Sequence, residues 1–289
     1  MNAYLIHQPG ERPVRRRAKY VSGRIVKLNM RKLTYILILC LWAVVSNAAS
    51  LKNAIIISID ALHPAALSAR TTPAIYKEMR QGAFTLDGYS TNPPKTLISH
   101  TAMFTGLGPD KNGRLDNQWQ PGEPTIEHKT IFNSAKLNGF QTGFYFSKQK
   151  LGYLVNDAVD VHRWSREDAI DFAEAFIRKP GRHFVFLHVS GLDFAGPEFG
   201  WLSAEYMEEL SYIDEYLTPL IRLVKAQKDY IIIITSDHGG HDKIHGSQHP
   251  DDFRLPIVIN SDRMEFKHIR NSKYDVADLK DILNRILQK

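Results

Sequence analysis

Residues 230–235 read Tyr-Ile-Ile-Ile-Ile-Thr, and no other stretch restricts the fold of this chain as tightly. A β-branched run without polar alternation has no side to show to water, so it belongs in the middle of a sheet covered on both faces, the setting of parallel strands in α/β proteins. Directly after it come Ser236, Asp237, His238, two glycines and His241, with His245 a little further on. Open α/β sheets bind ligands just beyond the carboxyl ends of their strands, and histidine with carboxylate is a usual ligand set for zinc. A polar loop after a core strand accounts for one histidine more readily than for three with an aspartate. The segment reads as a metal site at a strand end.

The same grammar recurs. The strand-like run 54–59 ends in Asp60, and the run 184–189 leads through Ser190, Gly191 and Leu192 into Asp193. Further strands are expected over 142–146 and 257–259, and helical periodicity is clearest over 72–81, 166–177 and 204–225, where Tyr206, Leu210, Ile213, Leu217 and Leu220 form a stripe. A last amphipathic segment, 276–287, is expected to pack on the sheet edge. Alternating strands and helices predict an α/β fold with a mainly parallel sheet. A single aspartate after a strand is ordinarily a turn or cap residue. Three of them, on strands whose carboxyl ends share one edge, favour a cation-binding cluster. Between residues 92 and 104 a loop runs into an apolar helix, setting Thr96 near a helix amino terminus, where backbone N–H groups favour an anion such as phosphate. The plainer use of Thr96 or Ser99 there is as an N-cap. Residues 106–128, rich in Gly, Pro, Asn and Gln, form a loop long enough to cover a site.

The charge of the chain sits at its start. Nine Lys or Arg against Glu11 give residues 1–32 a charge of +8, whereas all 289 residues carry +6, so the remainder is at −2. The basic character is thus no argument for nucleic-acid binding by the folded part. The apolar run 33–45, followed by Ser46-Asn47-Ala48-Ala49, has the layout of a secretory signal peptide and is short for a membrane span. The expected division is a basic leader and signal peptide at 1–48 and a single domain at 49–289, exported to the periplasm or secreted; the alternative is an uncleaved anchor at 33–45. The start could be Met1 or Met30. Cys40, the only cysteine, falls in the leader, so the exported part has no thiolate ligand or thiol nucleophile and must rely on His, Asp and Glu.

Four stretches in this order, IIISIDALHP, NPPKTLISHTAMFTGLGPDKNG, LDFAGPEFGWLSAEY and TSDHGGHDKIHG, resemble the alkaline phosphatase superfamily, and within it the nucleotide pyrophosphatase/phosphodiesterase branch. The resemblance covers nearly all of residues 53–259. It implies a three-layer sandwich with helices on both sides of the sheet, and a hydrolase of small phosphoester substrates working through two zinc ions. Asp60, Asp237 and His238 would hold one ion beside Thr96, the nucleophile; Asp193 and His245 would hold the other; Ser99 and Asn117 would contact phosphoryl oxygens. Ser99 stands where the branch usually has Asn. One departure is sharper. The branch pattern Asp-x-x-Gly-His is here Asp193-Phe194-Ala195-Gly196-Pro197, and proline donates nothing to a metal. Either Glu198, His241 or His249 substitutes, or one ion is weakly held or missing, or the protein is a non-catalytic metal binder. Sulfate-ester hydrolysis, known elsewhere in the superfamily, lacks its Cys/Ser-x-Pro-x-Arg motif here. His63, His162, His183 and His188 read as structural, His188 as a buried, hydrogen-bonded residue in a strand, and Trp201 and Tyr206 as packing residues.

Overall fold

The computed structural model describes residues 51–288; the leader, with Cys40, lies outside them. In chain order the elements are β1 (Asn53–Ile59), α1 (Pro73–Gln81), β2 (Ala83–Tyr89), α2 (Thr96–Thr105), α3 (Ile131–Leu137), β3 (Gln141–Phe146), β4 (Val161–Trp164), α4 (Ala169–Ile177), β5 (His183–Val189), α5 (Leu192–Phe199), α6 (Ala204–Ala226), β6 (Tyr230–Thr235), β7 (Arg254–Ser261), β8 (Tyr274–Asp275) and α7 (Asp278–Leu287). The strands form one sheet in the order β4-β3-β5-β1-β6-β7-β2-β8. Pairing is parallel from β4 through to β6, whereas β7 runs antiparallel to both β6 and β2.

Each central strand feeds two cores because its side chains alternate between faces. Ile56, Phe144, Phe184, Phe186, Ile231 and Ile233 point to one side, where they meet Leu97, Met103 and Phe104 of α2, Phe132 of α3, and Leu279 and Leu283 of α7. Ile55, Ile57, Ile59, Val185, Leu187, Ile232 and Ile234 point to the other and meet Ile75 of α1, Phe176 of α4 and the stripe Leu210, Ile213, Leu217 and Leu220 of α6. The result is the expected α/β three-layer sandwich. The run 230–235 is buried throughout, as its lack of a polar side demanded.

Several elements differ from the sequence reading. The strand expected at 257–259 is the middle of the longer, antiparallel β7. Strands β2, β4 and β8 were not expected. β2 interrupts its own pattern with Asp87 and Gly88 and changes register against β7 between Thr85 and Gly88, β4 is exposed along its length, and β8 is two residues long. Helix α4 starts at Ala169 instead of 166, because the Ser165 hydroxyl and Asp168 close a turn first (2.9 Å). Helix α7 packs against α2 and α3, in the helix layer rather than on the sheet edge.

Candidate active site

Neighbouring parallel strands end side by side, and four adjacent ones, β3, β5, β1 and β6, each deliver a charged residue at that edge. Asp60 follows β1 directly, Asp237 lies two residues past β6, Asp193 sits in the first turn of α5 after β5, and Lys148 lies two residues past β3. Thr96 is the first residue of α2, a helix buried along its entire length.

Two sets of atoms meet here. Lys148 Nζ is 2.5 Å from Asp60 Oδ2, makes a very short contact with Asp193 Oδ2, and donates to Thr96 Oγ1 at 3.1 Å. Next to it, His238 Nε2 lies 3.3 Å from Asp60 Oδ1, 3.6 Å from Asp237 Oδ2 and 3.8 Å from Asp193 Oδ1. His245 stacks on His238 (ring centroids 4.6 Å apart, 3° between planes) and brings its Nε2 to 3.3 Å from Asp193 Oδ1. Asp60 Oδ1, Asp193 Oδ1, Asp237 Oδ2 and His238 Nε2 are buried without a hydrogen-bond partner. Buried polar atoms are rarely left so. Acceptor oxygens gathered round an imidazole nitrogen are what a divalent cation needs, so the donor set fits zinc. The His238 Nδ1–H donates to the Gly239 carbonyl at 2.8 Å, which aims the Nε2 lone pair into the cluster.

The electrostatics agree. Burial opposes ionisation of Asp60, but the Lys148 ammonium, the hydrogen bond from His188 and the imidazole of His238 close by outweigh it and hold the carboxyl well below the usual range. Burial also opposes charge on His238, yet Asp237, Asp60 and Asp193 together raise it to about 10. A cation and a proton would thus compete for the same lone pair. His245 moves the other way, lowered by burial and by His238 beside it.

A second ring of contacts fixes these groups. His188 Nε2 holds Asp60 Oδ2 at 3.1 Å while its Nδ1 meets the Ser147 hydroxyl at 3.0 Å. His100 donates from Nδ1 to the Thr96 carbonyl at 2.7 Å, leaving Nε2 to accept from Ser58 Oγ at 2.9 Å. Burial keeps that ring neutral, lowering it to about 4. Ala61, next to Asp60, has φ of 63°, a region costly for a residue with a Cβ. It is pinned there by the Tyr206 hydroxyl, which donates to its carbonyl at 2.7 Å and accepts from the His63 N–H at 3.0 Å, and by its own N–H, which donates to Asp237 Oδ1 at 3.2 Å.

Of the residues singled out from sequence, Asp60, Thr96, Asp193, Asp237, His238 and His245 come together at this edge. Asn117 is close by, its Oδ1 accepting from the Leu97 N–H at 2.8 Å. Ser99 is fully buried, with its hydroxyl 2.8 Å from both Ser90 Oγ and Thr91 Oγ1. Among the described residues, neither Glu198, His241 nor His249 shares a ligand group with Asp193. Glu198 belongs to no ligand group among the described residues, and His241 bonds Asp252 at 2.7 Å with His249 stacked on it at 3.8 Å. Both Asp252 oxygens already accept, Oδ1 from His241 and Oδ2 from the Ser247 N–H and hydroxyl at 2.7 and 2.8 Å. Trp201 lies beside the cluster, its ring 5.6 Å from that of His245 and packed on Gly196 and Gly240. His63, 3.6 Å from Asp251, and His183, 3.1 Å from Asn53, stay outside the cluster. The sequence reading missed Lys148 altogether and gave His188 and His100 no part in the site. Lys148 was findable by the rule that found the aspartates, as the first charged residue beyond a buried strand, had that rule been applied to cations.

A family model described as type I phosphodiesterase / nucleotide pyrophosphatase matches residues 54–253. The chain belongs to this family. Among curated proteins, it is 38% identical over 86 residues to GPI ethanolamine phosphate transferase 1 of Candida glabrata, covering 28% of this chain and 9% of that protein. It is 24% identical over 199 residues to human ectonucleotide pyrophosphatase/phosphodiesterase family member 1, covering 58% and 21%. The chain thus spans about a tenth to a fifth of the length of these relatives. Among solved structures, the C-terminal periplasmic domain of EcEptC from Escherichia coli, in complex with Zn, superposes with a TM-score of 0.62 at 13% identity over 83% of each chain. The family's matched segment includes Asp60, Thr96, Lys148, Asp193, Asp237, His238 and His245.

Proposed function

We propose that the chain is a metal-dependent phosphoester hydrolase acting on small phosphodiesters or nucleotide pyrophosphates, with Thr96 as the nucleophile. The observation that carries this reading is a single hydroxyl, Thr96 Oγ1, held at a helix amino terminus 3.1 Å from the partly buried Lys148 ammonium, beside carboxylate and imidazole atoms that have no other partner. A hydroxyl is a poor nucleophile until positive charge lowers the cost of its alkoxide, and the amino terminus of α2 favours an anionic phosphoryl group in front of it. Asp60, Asp237, Asp193, His238 and His245 would hold divalent metal, zinc by its donor set, which supplies positive charge to the phosphoryl oxygens.

In the first half-reaction Thr96 Oγ1 bonds to phosphorus as the bond to the leaving oxygen breaks; the threonine proton goes to solvent and the leaving oxygen is protonated. In the second, water attacks phosphorus, the Oγ1–P bond breaks, and Thr96 regains a proton. Asn117, with its Oδ1 already engaged by the α2 backbone, would turn its amide N–H groups to the phosphoryl oxygens. Ser99 would hold the segment of Ser90 and Thr91 in place. Residues 1–48 would direct the domain out of the cytoplasm; among the described residues no helix is long and apolar enough to cross a membrane.

Replacing Thr96 with Ala tests the reading. Hydrolysis of a nitrophenyl phosphodiester should fall on the order of a thousandfold or more, and rapid quenching of the wild type should trap a phosphorylated threonine. Turnover by Thr96→Ala at the unmutated rate would remove the proposed nucleophile. A non-catalytic metal binder, the reading Pro197 favours, would instead bind metal and show no turnover in the wild type.

A further inference from the structure

The two ligand groups that can be drawn at the site, Asp60 with Asp237 and His238, and Asp193 with His238 and His245, share one residue. In both, His238 has only Nε2 to offer, because its Nδ1–H is committed to the Gly239 carbonyl. An imidazole nitrogen has one lone pair and serves one ion. The two groups are therefore one pocket with up to five ligands, and a second ion would have to be held without His238. The family pattern supplies a histidine at position 197 for that purpose, and here it is Pro197.

Something else stands at the vacated charge. Asp60 and Asp193 each divide their oxygens: Oδ1 faces the pocket around His238, and Oδ2 faces Lys148. An ammonium has three N–H donors, and three acceptors surround this one, Asp60 Oδ2, Asp193 Oδ2 and Thr96 Oγ1. We infer that Lys148 serves as a fixed second cation, so that the centre is built for one divalent ion and one ammonium. The inference rests on the phosphoester reading above and gives its second positive charge a residue number.

Charge decides between one and two ions. Asp60 and Asp237, both buried, and the partly buried Asp193 bring three negative charges. One divalent ion with Lys148 balances them, whereas two such ions with Lys148 would leave two surplus positive charges in a region where uncompensated charge is costly. The division of labour follows from the donors. Lys148 has no N–H left for substrate, so its direct partner in the reaction is the nucleophile, whose developing alkoxide it stabilises. It does the work of a metal toward Thr96, but it has no open position at which to bind a second-step water. The phosphoryl oxygens must be met by the one ion and by neutral donors. Lys148 thus acts as a catalytic residue through its contact with the reacting oxygen.

The test combines a structural readout with a kinetic one. Crystals of the wild type grown with zinc should show, by anomalous scattering, a single site peak beside His238 Nε2, with Lys148 still bridging Asp60 and Asp193. Lys148→Met should keep that peak while phosphodiester turnover falls on the order of 100-fold or more, the usual effect of losing one preorganised donor to a developing oxyanion. A second peak between Asp60 and Asp193 with the lysine displaced would overturn the inference, as would wild-type turnover by Lys148→Met. Should that variant fail to fold, the wild-type peak count decides by itself. A dead Thr96→Ala combined with two peaks removes only the role of Lys148, whereas an active Thr96→Ala removes the nucleophile and leaves the ion count standing.

Discussion

Tyr206→Phe removes one oxygen atom, yet the structure makes its cost large. The ring is fully buried, and burial raises the phenol's pKa so that it remains a donor. Its hydroxyl satisfies two backbone groups of the turn after β1, the Ala61 carbonyl at 2.7 Å and the His63 N–H at 3.0 Å. Both would be left unpaired, at about 1–3 kcal/mol each. The turn is also strained, since Ala61 sits at φ 63°, which costs about 1–2 kcal/mol for a residue with a Cβ; letting it relax returns part of the loss. The net destabilisation should be about 2–3 kcal/mol, which for a domain of this size lowers Tm by about 5–10 °C. Urea denaturation should show the midpoint fall with an unchanged slope. Because Asp60 adjoins Ala61, phosphodiester turnover should fall as well. Ala61→Gly tolerates the left-handed backbone, so it should add less stability in the Tyr206→Phe background, where the turn can already relax, than it adds alone, a coupling readable in a double-mutant cycle. A Tyr206→Phe midpoint within about 0.5 kcal/mol of wild type, the range of ordinary surface changes, would refute the claim that this hydroxyl pins the turn.

Three other substitutions or treatments follow from the same geometry. Gly239→Ala would place a Cβ 2.2 Å from the Asp251 carbonyl oxygen and 2.8 Å from that of Arg254; backbone cannot step aside as a side chain does, so the cost should reach about 3 kcal/mol or more, and a melting temperature equal to wild type would show the loop is looser than described. Asp214, buried in α6, accepts from the Ala74 and Ile75 N–H groups at the start of α1 (2.9 and 2.8 Å); Asp214→Ala should therefore cost about 2 kcal/mol, measured by urea denaturation, and no change would mean other groups cap α1. Stripping metal with a chelator should lower Tm by about 5–10 °C if the ion is held at 100 times its dissociation constant, and Asp237→Asn should show no such drop; equal drops in both proteins would place the ion elsewhere.

Much of this molecule was legible along the chain because its signals are local. Four isoleucines in succession leave no polar face, so β6 had to lie inside the sheet, and the aspartates after β1 and β6 follow directly from where those strands stop. The periodic stripe of α6 fixed its buried face. Other elements carried no such signal. β4 is exposed along its length and β8 is two residues long, so each is a strand only because a neighbour's edge is there to pair with it. The antiparallel course of β7 could not be read from 257–259, since a fully buried strand has the same composition in either direction.

The sequence by itself determined the alternation of strands and helices of an α/β fold and the acids and histidines that stand at the strand ends. Only the tertiary structure decided how the charges are divided, because that depends on which oxygen of each aspartate faces which neighbour. Lys148 lies 45 residues from Asp193 and 52 from Thr96 along the chain, and no spacing rule links them. Strand order alone, β3 beside β5 beside β1, brings that ammonium to two carboxylates and a hydroxyl, and leaves His238 and His245 the remaining oxygens.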